Sequence, residues 1–124
     1  MYVPAGTWCG WPPHCHDGYE GSPYLEEVYY YRVQPKHGVA FPRNYRLDKD
    51  IDEIILAGHG DCILVTEGFH PVAAAPGSNV YFLNYLAGEP QNEARNYQPF
   101  EDPSTIWIKE DWEKDKMPLP VQWK

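Results

Sequence analysis

Glu26-Glu-Val-Tyr-Tyr-Tyr-Arg32 decides the fold class. Aromatic and β-branched residues dominate this stretch, and such residues suit a pleated, half-buried strand. Alternation along a strand puts Glu27, Tyr29 and Tyr31 on one face and Glu26, Val28 and Tyr30 on the other. Downstream, Val39-Ala-Phe-Pro-Arg-Asn-Tyr45 reads as a second strand. Pro42 has no N–H to give to a ladder, so an edge position or a bulge is expected there. Glu53-Ile-Ile-Leu56 and Cys62-Ile-Leu-Val65 flank Gly58-His-Gly-Asp61, a turn signal. His70-Pro-Val-Ala-Ala74 follows a turn at Glu67-Gly68, and Val80-Tyr-Phe-Leu-Asn-Tyr-Leu86 follows Pro76-Gly77-Ser-Asn79. Short strands separated by regular turns, with no helical period, predict an all-β sandwich, jelly roll or barrel.

Composition agrees. The chain has 124 residues with 10 Tyr, 5 Trp, 4 Phe, 13 Pro and 10 Gly, a mixture that favours short strands and frequent turns. That length fits one compact domain, residues 1–124, with a core that needs no disulfide staples. The segment from about residue 101 to 124 carries Trp107 and Trp112 among charges, and is expected to pack on the barrel as a strand or short helix. A net charge of −8 argues against nucleic acid and against anionic membranes as partners. No apolar run approaches the roughly 20 residues of a membrane-spanning helix. Met1-Tyr-Val-Pro-Ala-Gly6 has neither the basic region nor the apolar core of a signal peptide. Cys9, Cys15 and Cys62 form no Cys-x-x-Cys pair, so a reducing cytoplasm is the expected setting.

Chemistry concentrates in Pro12-Pro-His-Cys-His-Asp17. In an extended segment His14 and His16 share a face, with Cys15 turned away. Glu27 supplies an anionic group on the next strand, and His70 arrives after Gly68 frees the backbone to turn. Three imidazoles and one carboxylate suit a single divalent ion, one of Zn, Mn, Fe, Co or Ni. Four protein ligands leave positions open, as a catalytic metal needs. Each piece alone has a plainer reading: surface histidines are common, a lone strand Glu is usually solvated, and Tyr29 and Tyr31 could be core packing. His37 and His59 sit in turns beside glycine and read as surface residues. The joint order raises the metal reading above these alternatives.

That order resembles the cupin superfamily, whose first motif sets His-x-His and Glu on adjacent strands. The second cupin motif is approximated by Gly60-Asp-Cys-Ile-Leu-Val-Thr-Glu-Gly-Phe-His70, with Thr66 where Pro is usual and a shorter step from Gly68 to His70. The gap between His16 and Glu27 is longer than usual, and Gly18, Gly21 and Pro23 mark a loop. More specifically, Tyr24-Leu-Glu-Glu-Val-Tyr-Tyr-Tyr31, Glu67-Gly-Phe-His-Pro-Val-Ala-Ala74 and Tyr81-Phe-Leu-Asn-Tyr-Leu-Ala-Gly88 are similar to the 5-deoxy-glucuronate isomerase family of inositol catabolism. The histidine segment and the tail ending Pro118-Leu-Pro120 fit it as well. The wider family includes 4-deoxy-5-threo-hexosulose-uronate ketol-isomerase. The resemblance implies a jelly-roll cupin barrel and places the metal carboxylate directly before the Val-Tyr pair, at Glu27.

The resemblance also implies an aldose–ketose isomerisation of a deoxy uronic acid. A metal would polarise the carbonyl and stabilise an enediolate. Glu27, Tyr29 and Tyr31 are the candidate catalytic residues, although no single base stands out, and Glu26 points away by alternation. Arg43, Tyr45 and Asn84 are candidates for holding the sugar acid, Arg43 through a bidentate grip on its carboxylate. A surface salt bridge is the plainer reading of Arg43. Family enzymes usually have two cupin domains, and this chain resembles only the second. The surface normally covered by the first is therefore expected to be apolar, and a homodimer is expected to cover it. Two other readings stay open: a different cupin metalloenzyme, such as a dioxygenase or lyase, and a non-catalytic sugar-binding cupin.

Overall fold

A computed structural model describes residues 1–96 and 98–111. Ten strands follow in chain order: β1 (Tyr2–Val3), β2 (Trp8–Cys9), β3 (His14–Cys15), β4 (Leu25–Gln34), β5 (Ala40–Tyr45), β6 (Asp52–Ile54), β7 (Cys62–Val65), β8 (Val72–Ala74), β9 (Asn79–Gly88) and β10 (Phe100–Glu101). The helical content of the described residues is three short 3-10 turns, at Tyr19–Gly21, Asn92–Asn96 and Ile106–Lys109. One sheet has the order β1-β9-β4-β7, a second has β2-β8-β5-β6, and β10 pairs with β3. All pairings are antiparallel. The fold is an all-β cupin barrel.

The long central pair is β4 with β9, in register from Leu25↔Gly88 to Gln34↔Asn79. Leu25, Glu27, Tyr29, Tyr31 and Val33 are buried, while their alternate neighbours are exposed or half-buried. A slip of one residue would bury Glu26 and Arg32 and expose Tyr29, Tyr31 and Val33, so the pattern fixes the register. Tyr29, Tyr31, Val33 and Phe82 of the first sheet meet Val72 and Ala74 of the second in one core. Each large side chain buried there contributes about 1.5–3 kcal/mol.

Pro42 does not lie at an edge. β5 sits between β8 and β6. The missing N–H falls on the β6 side, where the Pro42 carbonyl accepts from Ile55 N at 2.9 Å but returns nothing. The ladder breaks at that point: β6 ends at Ile54 and pairing resumes as a bridge between Ala40 and Ala57. Proline is tolerated inside this sheet because its neighbour is interrupted.

Of the tail from about residue 101, residues up to 111 are described. Phe100 pairs with Cys15 and Glu101 with His14, and a 3-10 turn follows. Trp112 and the Pro118-Leu-Pro120 stretch lie outside the described residues. Among the described residues, no helix is long and apolar enough to cross a membrane.

Candidate metal centre

β3 presents its residues as the alternation predicts. Cys15 is fully buried in a small cluster with Tyr45 and Phe69, on the side away from His14 and His16. The His16 carbonyl accepts from Leu25 N at 2.7 Å, which ties the histidine segment to the start of β4. His70 is set by Gly68, whose φ is +91° and whose absent Cβ would lie 2.8 Å from both Asn44 Nδ2 and the Tyr45 carbonyl oxygen. Only glycine fits a left-handed position under that approach.

The histidines are oriented from behind. His16 Nδ1 lies 2.6 Å from the Leu25 carbonyl oxygen, and His70 Nδ1 lies 2.8 Å from the Gly68 carbonyl oxygen. A carbonyl only accepts, so both rings carry their proton on Nδ1 and turn an Nε2 lone pair to the front. In front stands the Glu27 carboxylate. Its Oε2 lies 3.1 Å from His16 Nε2 and 3.2 Å from His70 Nε2. Tyr29 OH donates to the same oxygen at 3.2 Å, and Asn84 Nδ2 donates to Oε1 at 2.8 Å. His14 completes the group, with donor atoms of the three histidines all within 4.8 Å of one another.

This donor set fits a metal. His70 Nε2 is buried and makes no directed hydrogen bond, despite its nearness to Glu27. Lone pairs of two imidazoles and a carboxylate face one another, which is unfavourable unless a cation lies between them. Bonds of about 2.1 Å put neighbouring ligand atoms about 3.0 Å apart at a right angle and about 3.4 Å apart at a tetrahedral one. The two Glu27 distances fall in that interval.

Electrostatics keeps Glu27 ionised and His14 neutral but draws His16 toward its protonated form. Burial alone would raise the Glu27 carboxyl, but His16, His70 and Asn84 outweigh it and hold it well below the usual carboxylate range. Burial, then the neighbouring His70 and His16, pushes His14 down toward the neutral form that binds metals. His16 is pulled down by burial, but Glu27 and the Leu25 carbonyl together outweigh it, so the net shift is upward. Burial and Glu27 push the Tyr29 hydroxyl far up, so it stays protonated and donates.

The centre opens into a cavity of about 230 Å3. Leu25, Leu86 and Pro99 give it apolar walls, while Asn84 and Arg95 supply polar groups beside His14, His16 and Glu27. Arg95 is anchored by Nη2 donating to the Leu86 carbonyl at 3.1 Å.

The sequence model of the KduI/IolB family matches residues 1–108. The chain belongs to that family. It is 39% identical over 112 residues to a 5-deoxy-glucuronate isomerase of Geobacillus thermodenitrificans (strain NG80-2), covering 89% of this chain and 39% of that protein. It is 36% identical to the 5-deoxy-glucuronate isomerase of Bacillus subtilis (strain 168), covering 89% and 40%. Among solved structures it is similar to an IolB-like protein from Salmonella typhimurium LT2, with a TM-score of 0.78, 34% identity, and coverage of 87% of this chain and 40% of that one. The chain thus spans about two fifths of the length of the relatives it matches.

Within this KduI/IolB barrel, the structure brings His14, His16, Glu27 and His70 together, with Tyr29 and Asn84 in contact with Glu27. Tyr31 lies deeper, fully buried, its hydroxyl without a hydrogen-bond partner among the described residues. Arg43 and Tyr45 do not line the cavity. Arg43 grips Asp52 through two bonds of 2.8 Å and lies 4.0 Å over the Tyr45 ring, and Tyr45 OH donates to Asp102. Two other residues, one lining the cavity and one behind the histidines, have no sequence pattern to announce them. One is Arg95. The other is Asp17, whose Oδ2 accepts from Gly68 N at 2.7 Å and Arg46 Nη1 at 2.6 Å. One carboxylate therefore joins the segment after His16 to the segment before His70. Burial would raise Asp17, but the amides of Gly68 and Tyr19 and the Arg46 guanidinium hold it below the usual range.

Proposed function

We propose that the chain is a metal-dependent isomerase that interconverts aldose and ketose forms of a deoxy uronic acid such as 5-deoxy-glucuronate. The observation that carries this reading is the convergence of His16 Nε2 and His70 Nε2 on Glu27, with His14 alongside. It does so beside a cavity holding Arg95, in a family whose matched relatives bear the name 5-deoxy-glucuronate isomerase.

His14, His16, Glu27 and His70 would hold one divalent ion of the Zn, Mn, Fe, Co or Ni group. Such an ion supplies Lewis acidity to a sugar carbonyl. The residues around it do the rest. Arg95 receives the substrate carboxylate at the cavity wall, the role that Arg43 is kept from by Asp52. Asn84 orients Glu27 through its amide. Tyr29 stays protonated next to Glu27 and can hydrogen-bond to an oxygen that gains charge as the enediolate of the sugar forms. Tyr31 supports the Tyr29 ring from a centroid distance of 6.1 Å. Leu25, Leu86 and Pro99 exclude water from the reacting carbons. The free cysteines suit a reducing cytoplasm. We further propose that the chain works as a homodimer.

Proton NMR of the metal-loaded chain with 5-deoxy-glucuronate in deuterated buffer tests the reading. A ketose product that is lost in His70→Ala is expected. Metal-loaded protein that forms no product would refute the isomerase assignment while leaving the metal centre standing.

A further inference from the structure

The first sheet has a face that the described residues leave uncovered. Outward residues of an antiparallel sheet are normally polar where they meet water. Here they are not. Leu64 on β7 and Tyr85 on β9 lie on either side of Val28 in one row, Tyr30 pairs with Leu83 in the next, and Tyr81 pairs with Tyr2 in a third. Leu64 is 68% exposed and Tyr85 71%, and the other four named side chains lie between 37% and 62%. Strands about 4.8 Å apart make these rows contiguous. At about 200 Å2 for each large side chain, the exposed part is on the order of 700 Å2. That exceeds the roughly 300–600 Å2 of the largest apolar patch on a typical monomer. It approaches the roughly 800 Å2 that each partner buries in a standard interface.

Charge says which partner. Glu26 and Arg32 are the charged outward residues of β4, three positions to either side of Tyr29. Glu26 accepts only from Tyr24 OH at 3.4 Å, and Arg32 donates to Tyr30 OH at 3.3 Å. Neither is in an ion pair among the described residues. A two-fold axis in the plane of contact, perpendicular to β4, reverses the strand direction. It brings Glu26 of each copy to Arg32 of the other, roughly 10 Å from the axis on both sides. An axis parallel to the strands would set Glu26 on Glu26 and Arg32 on Arg32. A patch with opposite charges at symmetric ends is complementary to itself.

We infer that a second copy of this chain docks on the outer face of the β1-β9-β4-β7 sheet, with the two β4 strands antiparallel across the contact. This gives the proposed homodimer its surface and rests on that proposal, but not on the isomerase chemistry.

The test is sedimentation equilibrium of the 124-residue chain from about 1 to 50 μM, with circular dichroism to confirm folding. The unchanged chain is expected to be a dimer. Leu64→Glu and Tyr85→Glu each bury a charge in an apolar contact and are expected to weaken association more than about 100-fold. The milder Leu64→Ser and Tyr85→Ser shift it the same way if a glutamate variant fails to fold. Glu26→Arg and Arg32→Glu each weaken association singly, and together restore it. A monomeric unchanged chain would overturn both the dimer and this face. A dimer indifferent to all of these variants would keep the homodimer and remove the face. Singles that weaken association with no recovery in the double would overturn the antiparallel pairing of the β4 strands.

Discussion

Replacing Asp17 with alanine should separate the strength of the metal centre from the strength of the fold. The Asp17 and Arg46 side chains are 4% and 7% exposed. Breaking a buried ion pair costs about 3–5 kcal/mol when the remaining charge is stranded. Arg46 is not stranded, because Nε and Nη2 still reach Asp48 at 2.8 Å each. What is lost is the partner of the Gly68 and Tyr19 N–H groups and one charge-assisted bond to Arg46, so about 2–3 kcal/mol of stability is expected to go. Gly68 also carries the carbonyl that orients His70. Loosening that turn should misplace one ligand, and such supporting contacts typically account for 10- to 100-fold in metal affinity. Urea denaturation of the metal-free chain measures the first effect. Zinc titration against a chromophoric chelator, under conditions where the variant is fully folded, measures the second. Asp17→Asn, which keeps one acceptor oxygen, should recover part of the affinity. A variant that loses stability but binds zinc as tightly as the unchanged chain would refute the idea that Asp17 positions His70.

Gly68→Ala should destabilise the fold by at least about 1–3 kcal/mol, because its φ of +91° and two approaches of 2.8 Å combine strain with overlap; a thermal melt reads this, and an unchanged midpoint would contradict it. His14→Ala and His70→Ala should each lower the metal-to-protein ratio after dialysis, measured by elemental analysis, and an unchanged ratio in both would exclude this ligand set. Asp102 is held below the usual carboxylate range: burial raises it, but Tyr45 and Ser104 outweigh that. A depressed folded-state pKa contributes stability above the unfolded value near 4, lost as pH falls through the folded value. Asp102→Asn should therefore lower stability at pH 6 and flatten its decline below pH 4, as urea midpoints across pH would show. Arg95→Gln should raise KM for a uronic acid about 10-fold or more with a smaller change in kcat, and should leave KM for an uncharged analogue unchanged.

Much of the barrel is legible in the sequence because burial alternates along β4 as its aromatic and β-branched run predicts. The same alternation separates Glu27 from Glu26 and sends Cys15 away from His14 and His16, and the structure places all of them so. The two-residue strands β1 and β2 are too short to carry a period, and only their partners β9 and β8 define them. Pro42 misled for a simple reason: a missing donor says which side of a strand lacks a bond, not whether another strand lies beyond it. Arg43 shows the same limit, since alternation gives it a face but cannot foresee that Asp52, paired with Tyr45 in the adjacent strand, lies on the diagonal within its reach. Arg95 sits in a 3-10 turn after β9, where no periodicity marks a residue as facing a cavity.

The thiol between the two leading histidines has one more use. Cys15 is fully buried, and burial, reinforced by the nearby Asp17, pushes its pKa up to about 12. It is therefore inert in the closed molecule, while Cys62 is exposed and Cys9 half-buried. A thiol reagent can reach Cys15 only when β3 separates from its surroundings, and that opening also pulls His14 and His16 apart. Its labelling rate is thus an intrinsic clock for the metal strand. If opening requires release of the ion, metal at 100 times its Kd should slow that clock about 100-fold, while labelling at Cys62 proceeds unchanged.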